Sequence, residues 1–334
     1  MMSRQRKQRP IVATRDMVRR KRRRRAIAVL LLLALTLGAV VYGTWRYIDE
    51  QEFLLDERCE VQLGEVHHEL SPDQAANAAL IAAAAVERGL PPQAATHGVA
   101  ISLQESNLEV LEATDEYDAR ELFASGGPDW SGDEDPDGVA TSVQDFYDAL
   151  QSAQGREEDS WTPELDVDDA AEVLNRPHDA SFYSRHADRA RAFAGPLTGQ
   201  QPVGMTCHLT RKDAPPADAD TLAEDLSAVL ANVLAIPESD PDDEDAPDYG
   251  DALTVQSPET ASDGGAVTVR IPESEENGGG AASGELWTVA HWAVATADVY
   301  GTQTVHAGAY QWSRATGVWE RVEDVSDDVV TIGF

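Results

Sequence analysis

The sequence predicts an N-terminal transmembrane helix, then a mainly α-helical domain, then a smaller C-terminal α+β module. Three observations predict this order. A run of uncharged apolar residues lies near the N-terminus, helix start and stop signals recur between the two cysteines, and short strand-like segments fill the C-terminal end. The predicted boundaries are 1–25 for a basic cytoplasmic tail, 26–48 for the transmembrane helix, 49–208 for the helical domain, and 209–334 for the α+β module with an acidic loop at 237–251.

The N-terminal apolar run covers residues 26–45, AIAVLLLLALTLGAVVYGTW, without a charge. Twenty helical residues span the ~30 Å hydrocarbon layer of a bilayer. Residues 1–25 carry twelve Lys or Arg and one Asp, a net charge of +11 that places the N-terminus in the cytoplasm. A cleavable signal peptide is the alternative, but its apolar region is shorter, roughly 7–15 residues. We therefore expect a single-pass plasma-membrane protein with its C-terminal domains outside the cytoplasm.

The remainder of the chain is strongly acidic. Residues 26–334 contain 59 Asp or Glu and 14 Lys or Arg, a net charge of −45. This field excludes nucleic acid as a partner, because the phosphate backbone would be repelled. Dense carboxylates also suggest the hypothesis of a protein adapted to high salt, which screens their mutual repulsion.

The chain has two cysteines, Cys59 and Cys207, about 150 residues apart. Both follow the predicted membrane span, where an oxidising compartment allows a disulfide to persist. A bond between them would close the helical domain. Two unpaired buried thiols are the alternative.

Between the cysteines the signals are helical. Ser71, Pro72 and Gln74 combine an N-cap, a proline at the first helical position and a capping-box partner. That helix is expected to end at Gly89, before two prolines. The other predicted helices are 92–110, 139–152, 167–174 and 178–194.

The C-terminal module begins with a capping box at Thr221 and Glu224 that opens an amphipathic helix. A turn at 315–317 fits a hairpin. The other predicted elements are strands at 266–271, 303–307, 309–314, 317–322 and 328–333, and a helix at 285–300. Four tryptophans in this module are expected in the core rather than as sugar platforms: Trp287, Trp292, Trp312 and Trp319.

Glu105 is the residue that could carry chemistry. It lies in the second predicted helix, which is apolar on two sides and is therefore expected at the centre of its domain. Burial disfavours the charged form of a carboxyl group, as a general acid at neutral pH requires. The alternative is a core glutamate that pairs with an arginine or caps a buried amide.

The segment 70–111, LSPDQAANAALIAAAAVERGLPPQAATHGVAISLQESNLEVL, resembles the lysozyme-like domain of membrane-anchored actinobacterial proteins related to lytic transglycosylases. The resemblance rests on the Gln-Glu-Ser sequence around Glu105 and continues to Cys207. It implies that Glu105 is the general acid that protonates the glycosidic oxygen of peptidoglycan, and that no metal or cofactor is needed. It also implies a substrate-binding cleft formed by Ser106, Phe123, Trp130 and Tyr147.

The loop after Glu105 departs from the family pattern. Glu121 stands where relatives have Gly, and Ala124 stands where they have Gln. Two hypotheses therefore remain. One is a membrane-tethered peptidoglycan lytic transglycosylase or muramidase, and the other is a non-catalytic envelope protein that binds glycan or a protein partner.

Overall fold

The computed structural model describes Ile27, Leu31, Thr36 and nine continuous stretches of the chain: 57–110, 122–123, 138–157, 159–212, 214–237, 249–256, 265–274, 280–281 and 283–334. The chain divides into two compact units, Met1–Leu55 and Asp56–Phe334. The second unit contains all the elements discussed below. The predicted domain boundary between 208 and 209 falls inside it.

The prediction of a transmembrane helix is corrected. Within the stretches that the structure describes, no helix is long and apolar enough to cross a membrane. The longest described helix, Gly138–Gln154, has 17 residues, which gives about 26 Å at 1.5 Å per residue against a ~30 Å hydrocarbon layer. The predicted span 26–48 itself lies outside the described residues, apart from the three named above. The prediction of a single-pass plasma-membrane protein is corrected together with the helix on which it depended.

A three-stranded antiparallel sheet lies where only helices were predicted. Its strands are β1 (Arg58–Leu63), β2 (Val66–Leu70) and β3 (Met205–His208), in the order β2-β1-β3. In β1 the side chains of Cys59 and Val61 are buried while their neighbours are more exposed, the period of two that a strand requires. The domain is therefore α+β and not mainly α.

Five α-helices lie between β2 and β3: α1 (Pro72–Glu87), α2 (Pro92–Glu105), α3 (Gly138–Gln154), α4 (Val167–Val173) and α5 (Ala187–Leu197). The predicted start of α1 is confirmed, since the Ser71 hydroxyl accepts from the Gln74 N–H and the Gln74 side chain accepts from the Ser71 N–H. The Ala-rich face of α1 packs against α2, and α2 packs against α5. From Ala94 to Leu103 every residue of α2 is buried, as expected for a central helix.

Two helix ends differ from the predictions. Helix α2 stops at Glu105, because Asn107 and Leu108 adopt positive φ angles of 58° and 56° that cannot continue a right-handed helix. The predicted helix 178–194 is instead two short 3₁₀ turns, Ala180–Phe182 and Ser184–His186, followed by α5.

The C-terminal part contains α6 (Ala219–Val229) and the strands β4 (Leu253–Gln256), β5 (Ala266–Arg270), β6 (Glu273–Ser274) and β7 (Gly280–Ala281), then α7 (Ser283–Ala295), α8 (Ala297–Tyr300), β8 (Thr304–Ser313) and β9 (Val318–Gly333). A four-stranded antiparallel sheet has the order β4-β5-β9-β8, and β6 pairs with β7. The predicted hairpin turn between β8 and β9 is confirmed. Helix α6 is capped by Asp218, which accepts from the Thr221 N–H, so the predicted cap at Thr221 is wrong.

Helix α7 joins the C-terminal part to the helical part. It contacts α1 and α5 on one side and β8 and β9 on the other. Near its start the backbone passes so close to Gly199 that an added Cβ would lie 1.9 Å from the Gly284 carbonyl oxygen. His291 donates from Nδ1 to the Pro196 carbonyl at 2.8 Å. A single apolar core therefore extends from β1 through α7 to β9.

The predicted disulfide is confirmed. Cys59 of β1 and Cys207 of β3 are direct neighbours in the sheet and are bonded to each other. Both side chains are fully buried. The bond therefore joins the two ends of the helical part within one sheet.

Candidate functional site

Glu105, the predicted catalytic residue, is the last residue of α2 and faces the segment that follows α4. Its Oε1 accepts from Arg176 Nε at 2.8 Å, and its Oε2 accepts from Arg176 Nη2 at 2.5 Å. Oε1 also accepts from the Tyr183 hydroxyl at 2.9 Å. The exposed fraction of the side chain is 0% for Glu105 and 3% for Arg176. The carboxylate is thus held in a two-pronged buried salt bridge with a third hydrogen bond.

Tyr183, which lies between the two 3₁₀ turns, helps to hold this salt bridge in place. Its hydroxyl accepts from the His178 backbone N–H at 3.2 Å while it donates to Glu105. Burial and the adjacent Glu105 carboxylate both raise the pKa of Tyr183, so its hydroxyl stays protonated and remains a donor. The Arg176 guanidinium also lies 6.0 Å from the centre of the Phe123 ring. The Glu105 carboxylate therefore has protein donors at both oxygens and no exposed surface.

This geometry limits what Glu105 can do. A general acid must come within hydrogen-bond distance of the oxygen that it protonates. The Glu105 carboxylate exposes no surface to such an oxygen and already accepts three hydrogen bonds. The arrangement corresponds to the alternative drawn from the sequence, a core glutamate paired with an arginine.

The three described residues that were predicted to bind substrate are buried and do not line an open cleft. Ser106 is 7% exposed and donates to the Leu122 carbonyl at 2.7 Å. Tyr147 is fully buried and donates to the Ile81 carbonyl, and burial raises its pKa. Phe123 is fully buried and stacks on the ring of another core aromatic at 4.3 Å. Trp130 lies outside the described residues, as do Glu121 and Ala124.

The buried histidines are structural as well. His97 accepts from Trp161 Nε1 through Nδ1 and contacts the Leu165 carbonyl through Nε2, each at 3.0 Å. Burial lowers the pKa of His97 to about 4 and that of His291 to about 4. Among the residues that the structure describes, no group of three or more His, Cys, Asp or Glu side chains is placed to hold a metal ion.

The four tryptophans of the C-terminal part belong to the core, as predicted. The exposed fraction is 5% for Trp287, 3% for Trp292 and 0% for Trp312. Trp319 is partly buried, packs edge-on to Trp287 at 5.3 Å and donates to the Met205 carbonyl. Burial closes the first three rings to a sugar, whereas Trp319 also lines a pocket of about 240 Å³.

The described part of the chain also contains an open groove that the sequence did not predict. It consists of two adjoining cavities of about 700 Å³ and 410 Å³, and we call it the α1–α6 groove. One wall is formed by residues of α1, and the opposite wall is formed by residues of α6. The residues of α1 are Asp73, Ala76, Asn77 and Leu80, and those of α6 are Glu224, Asp225, Ala228 and Val229.

The floor and ends of the α1–α6 groove are mainly apolar. Trp292 and Tyr300 lie at its floor, nearly buried at 3% and 6% exposure. Val110 and Val299 line both cavities and are 38% and 53% exposed. The sequence pattern could not reveal this groove, because its walls come from helices about 150 residues apart in the sequence.

No protein-family model, curated protein or solved structure matches this chain. The resemblance to lysozyme-like domains therefore rests on the sequence patterns between residue 70 and Cys207 alone. Neither that resemblance nor a role at peptidoglycan receives support from the comparisons.

Proposed function

We propose that this protein is a non-catalytic binding protein, in which Glu105 stabilises the fold and the α1–α6 groove receives a protein partner. The observation that carries the proposal is the enclosed salt bridge of Glu105 with Arg176. A glycosidase needs its acid at the surface of a cleft, beside the sugar. Here the one glutamate with the expected sequence context has 0% side-chain exposure and is engaged by two other side chains.

The choice of a protein partner over a glycan follows from the groove. Sugar sites usually expose an aromatic face, whereas the aromatic rings at the floor of the groove are 3% and 6% exposed. The exposed apolar part of the groove is aliphatic instead, with Val110 and Val299 accessible. Aliphatic grooves between helices are typical receptors for the apolar face of another polypeptide.

The test is a cell-wall digestion with the purified chain. Wild type, Glu105→Gln and the control Glu172→Gln are incubated with isolated peptidoglycan, and released muropeptides are counted by mass spectrometry. Glu172 is an exposed carboxylate on α4, so its amide controls for a general loss of charge. We expect no release above the buffer blank from any of the three.

The opposite outcome is equally defined. Release by wild type and by Glu172→Gln, together with its loss in a Glu105→Gln protein that keeps its circular dichroism spectrum, would establish the glycosidase and overturn the proposal. Thermal unfolding of the same samples separates the structural role of Glu105 from a catalytic one. A structural Glu105 requires Glu105→Gln to unfold at a lower temperature than wild type, whereas a purely catalytic Glu105 does not.

A further inference from the structure

We infer that the α1–α6 groove binds a short amphipathic helix of a partner protein, whose apolar face enters the groove and whose Lys or Arg side chains pair with its rim. This inference rests on the proposed binding function and names the chemistry of the partner. It is drawn from three properties of the groove: its dimensions, its exposed apolar surface and the sign of its charges.

The dimensions fit about two turns of helix. The wall formed by α1 runs from Asp73 to Leu80, seven residue steps, which at 1.5 Å each give about 10 Å. The second wall, from Glu224 to Val229, is another helix face. A trough between two helix faces is a usual receptor for a third helix. The third helix binds there through its own apolar residues at helical spacing.

The inner surface of the groove is suited to apolar contacts. Three of its uncharged polar side chains already donate within the protein: Asn77 donates to the Leu108 carbonyl at 2.9 Å, Thr296 donates to the Trp292 carbonyl at 2.9 Å, and Tyr300 donates to an α6 carboxylate. They therefore offer little to a polar ligand. Val110 and Val299, in contrast, remain exposed at the centre of the groove, where a partner's leucine-like side chains would cover them.

The rim of the groove is negatively charged. Asp73 and Glu109 lie at one end, and Glu224 and Asp225 lie along the α6 wall. No Lys or Arg is among the described residues that line either cavity. Charges of one sign around an apolar patch favour a partner with the opposite sign and disfavour one with the same sign.

The exposed valines distinguish this groove from the rest of the acidic surface. The other exposed apolar side chains among the described residues of 57–334 lie elsewhere, and Val318 lines a separate pocket of about 240 Å³ beside Trp319. Val66 lies on strand β2, and Phe182 is covered by the Arg185 guanidinium at 4.8 Å. Only the α1–α6 groove, within the described chain, combines exposed aliphatic side chains, two helical walls and a rim of carboxylates.

The experiment measures binding of a fluorescent 14-residue peptide to the full chain by anisotropy. The peptide carries Leu at helical i, i+3, i+4 spacing and Lys at its other positions, and a Glu-for-Lys version is the charge control. We expect saturable one-to-one binding of the Lys peptide and none of the Glu peptide. Val299→Arg should weaken binding about tenfold or more, since it removes apolar contact and adds a repulsive charge. Val66→Arg is the matched control and should leave binding unchanged.

Charge is tested with Glu224→Lys, which should weaken binding about threefold in dilute buffer. That difference should shrink at about 1 M salt, where the Debye length falls to about 3 Å. A photoreactive residue at position 299 of the full chain then identifies the occupant, and its cross-link to the bound Lys peptide is expected.

Three outcomes would overturn the inference: no binding of the Lys peptide, equal loss of binding in Val299→Arg and Val66→Arg, or a position-299 cross-link to another part of this chain or to a second copy. None of them bears on catalysis. The muropeptide assay therefore decides the proposed function separately: a failed peptide assay with no muropeptide release leaves the non-catalytic assignment standing without this partner.

Discussion

Replacing Arg176 by methionine removes the cation that faces Glu105 and keeps most of the side-chain volume. The variant loses both guanidinium hydrogen bonds, at 2.8 and 2.5 Å, and leaves the carboxylate with the Tyr183 hydroxyl among the contacts described above. The carboxylate has no exposed surface through which water could replace the lost donors. We expect a large loss of stability.

The magnitude follows from burial. Breaking a buried ion pair by removing one partner typically costs about 3–5 kcal/mol, because an uncompensated charge remains in the interior. In the folded unit Asp56–Phe334 each kcal/mol lowers Tm by roughly 2 °C, so Arg176→Met should melt about 5–9 °C below wild type. The double variant Arg176→Met with Glu105→Leu should recover most of that loss, because replacing both ions by apolar groups is often close to neutral.

Differential scanning calorimetry and urea unfolding of the two single variants and the double variant measure this coupling. The matched control is Arg191→Met, which breaks a surface pair with Asp188 whose side chains are 54% and 78% exposed. Exposed pairs contribute about 0–1 kcal/mol, so the control should be nearly as stable as wild type. If Arg176→Met and Arg191→Met were equally stable, the salt bridge would not hold Glu105, and the argument against its catalytic role would lose its basis.

Three further predictions concern stability. Substitution of both cysteines by alanine should cost about 5 kcal/mol in the chain-entropy model, because the bond between Cys59 and Cys207 closes a loop with a sequence separation of 148; urea midpoints with and without reductant should differ for wild type only. Arg314 is 2% exposed and donates to the Thr210 and Ala297 carbonyls and to Asp298, so Arg314→Met should cost about 3 kcal/mol in thermal unfolding by leaving buried acceptors unpaired. The folded-state pKa of His97, about 4, lies below its unfolded value of 6.5. Its contribution is therefore fully present above pH 6.5 and is lost as pH falls towards 4. The loss is about 1.4 kcal/mol per pH unit, and the stability of His97→Gln should fall less steeply between pH 7 and 5.

Local signals in the sequence predicted much of the secondary structure. The capping box at Ser71, the glycine that ends α1 and the turn between β8 and β9 each depend on a few adjacent residues, and the structure confirms them. The predicted helix end at 110 and helix start at 178 were wrong, because the observed boundaries depend on backbone conformations and 3₁₀ turns without a residue signature of their own.

The first sheet was missed for a different reason. Strand β1 pairs with β3, which lies nearly 150 residues later, and a pairing over such a distance has no local pattern. The hairpin of β1 and β2 is local, with its turn at Gly64 and Glu65, and it was overlooked. The two cysteines indicated that these segments approach each other, and the structure confirms the bond. The sequence could not show that the bond lies within a sheet, so the domain was predicted as mainly α.

The sequence by itself predicted that the Glu105 side chain is buried, because apolar residues on two sides of one helix favour a central position, and the side chain has no exposed surface. Only the tertiary structure decided what a buried carboxylate does there. Arg176 and Tyr183 reach it from a segment more than seventy residues further along the chain, and their three hydrogen bonds enclose it. The same holds for the α1–α6 groove: hydrophobic periodicity predicts each helix alone, but a surface between two helices exists only when the chain has folded.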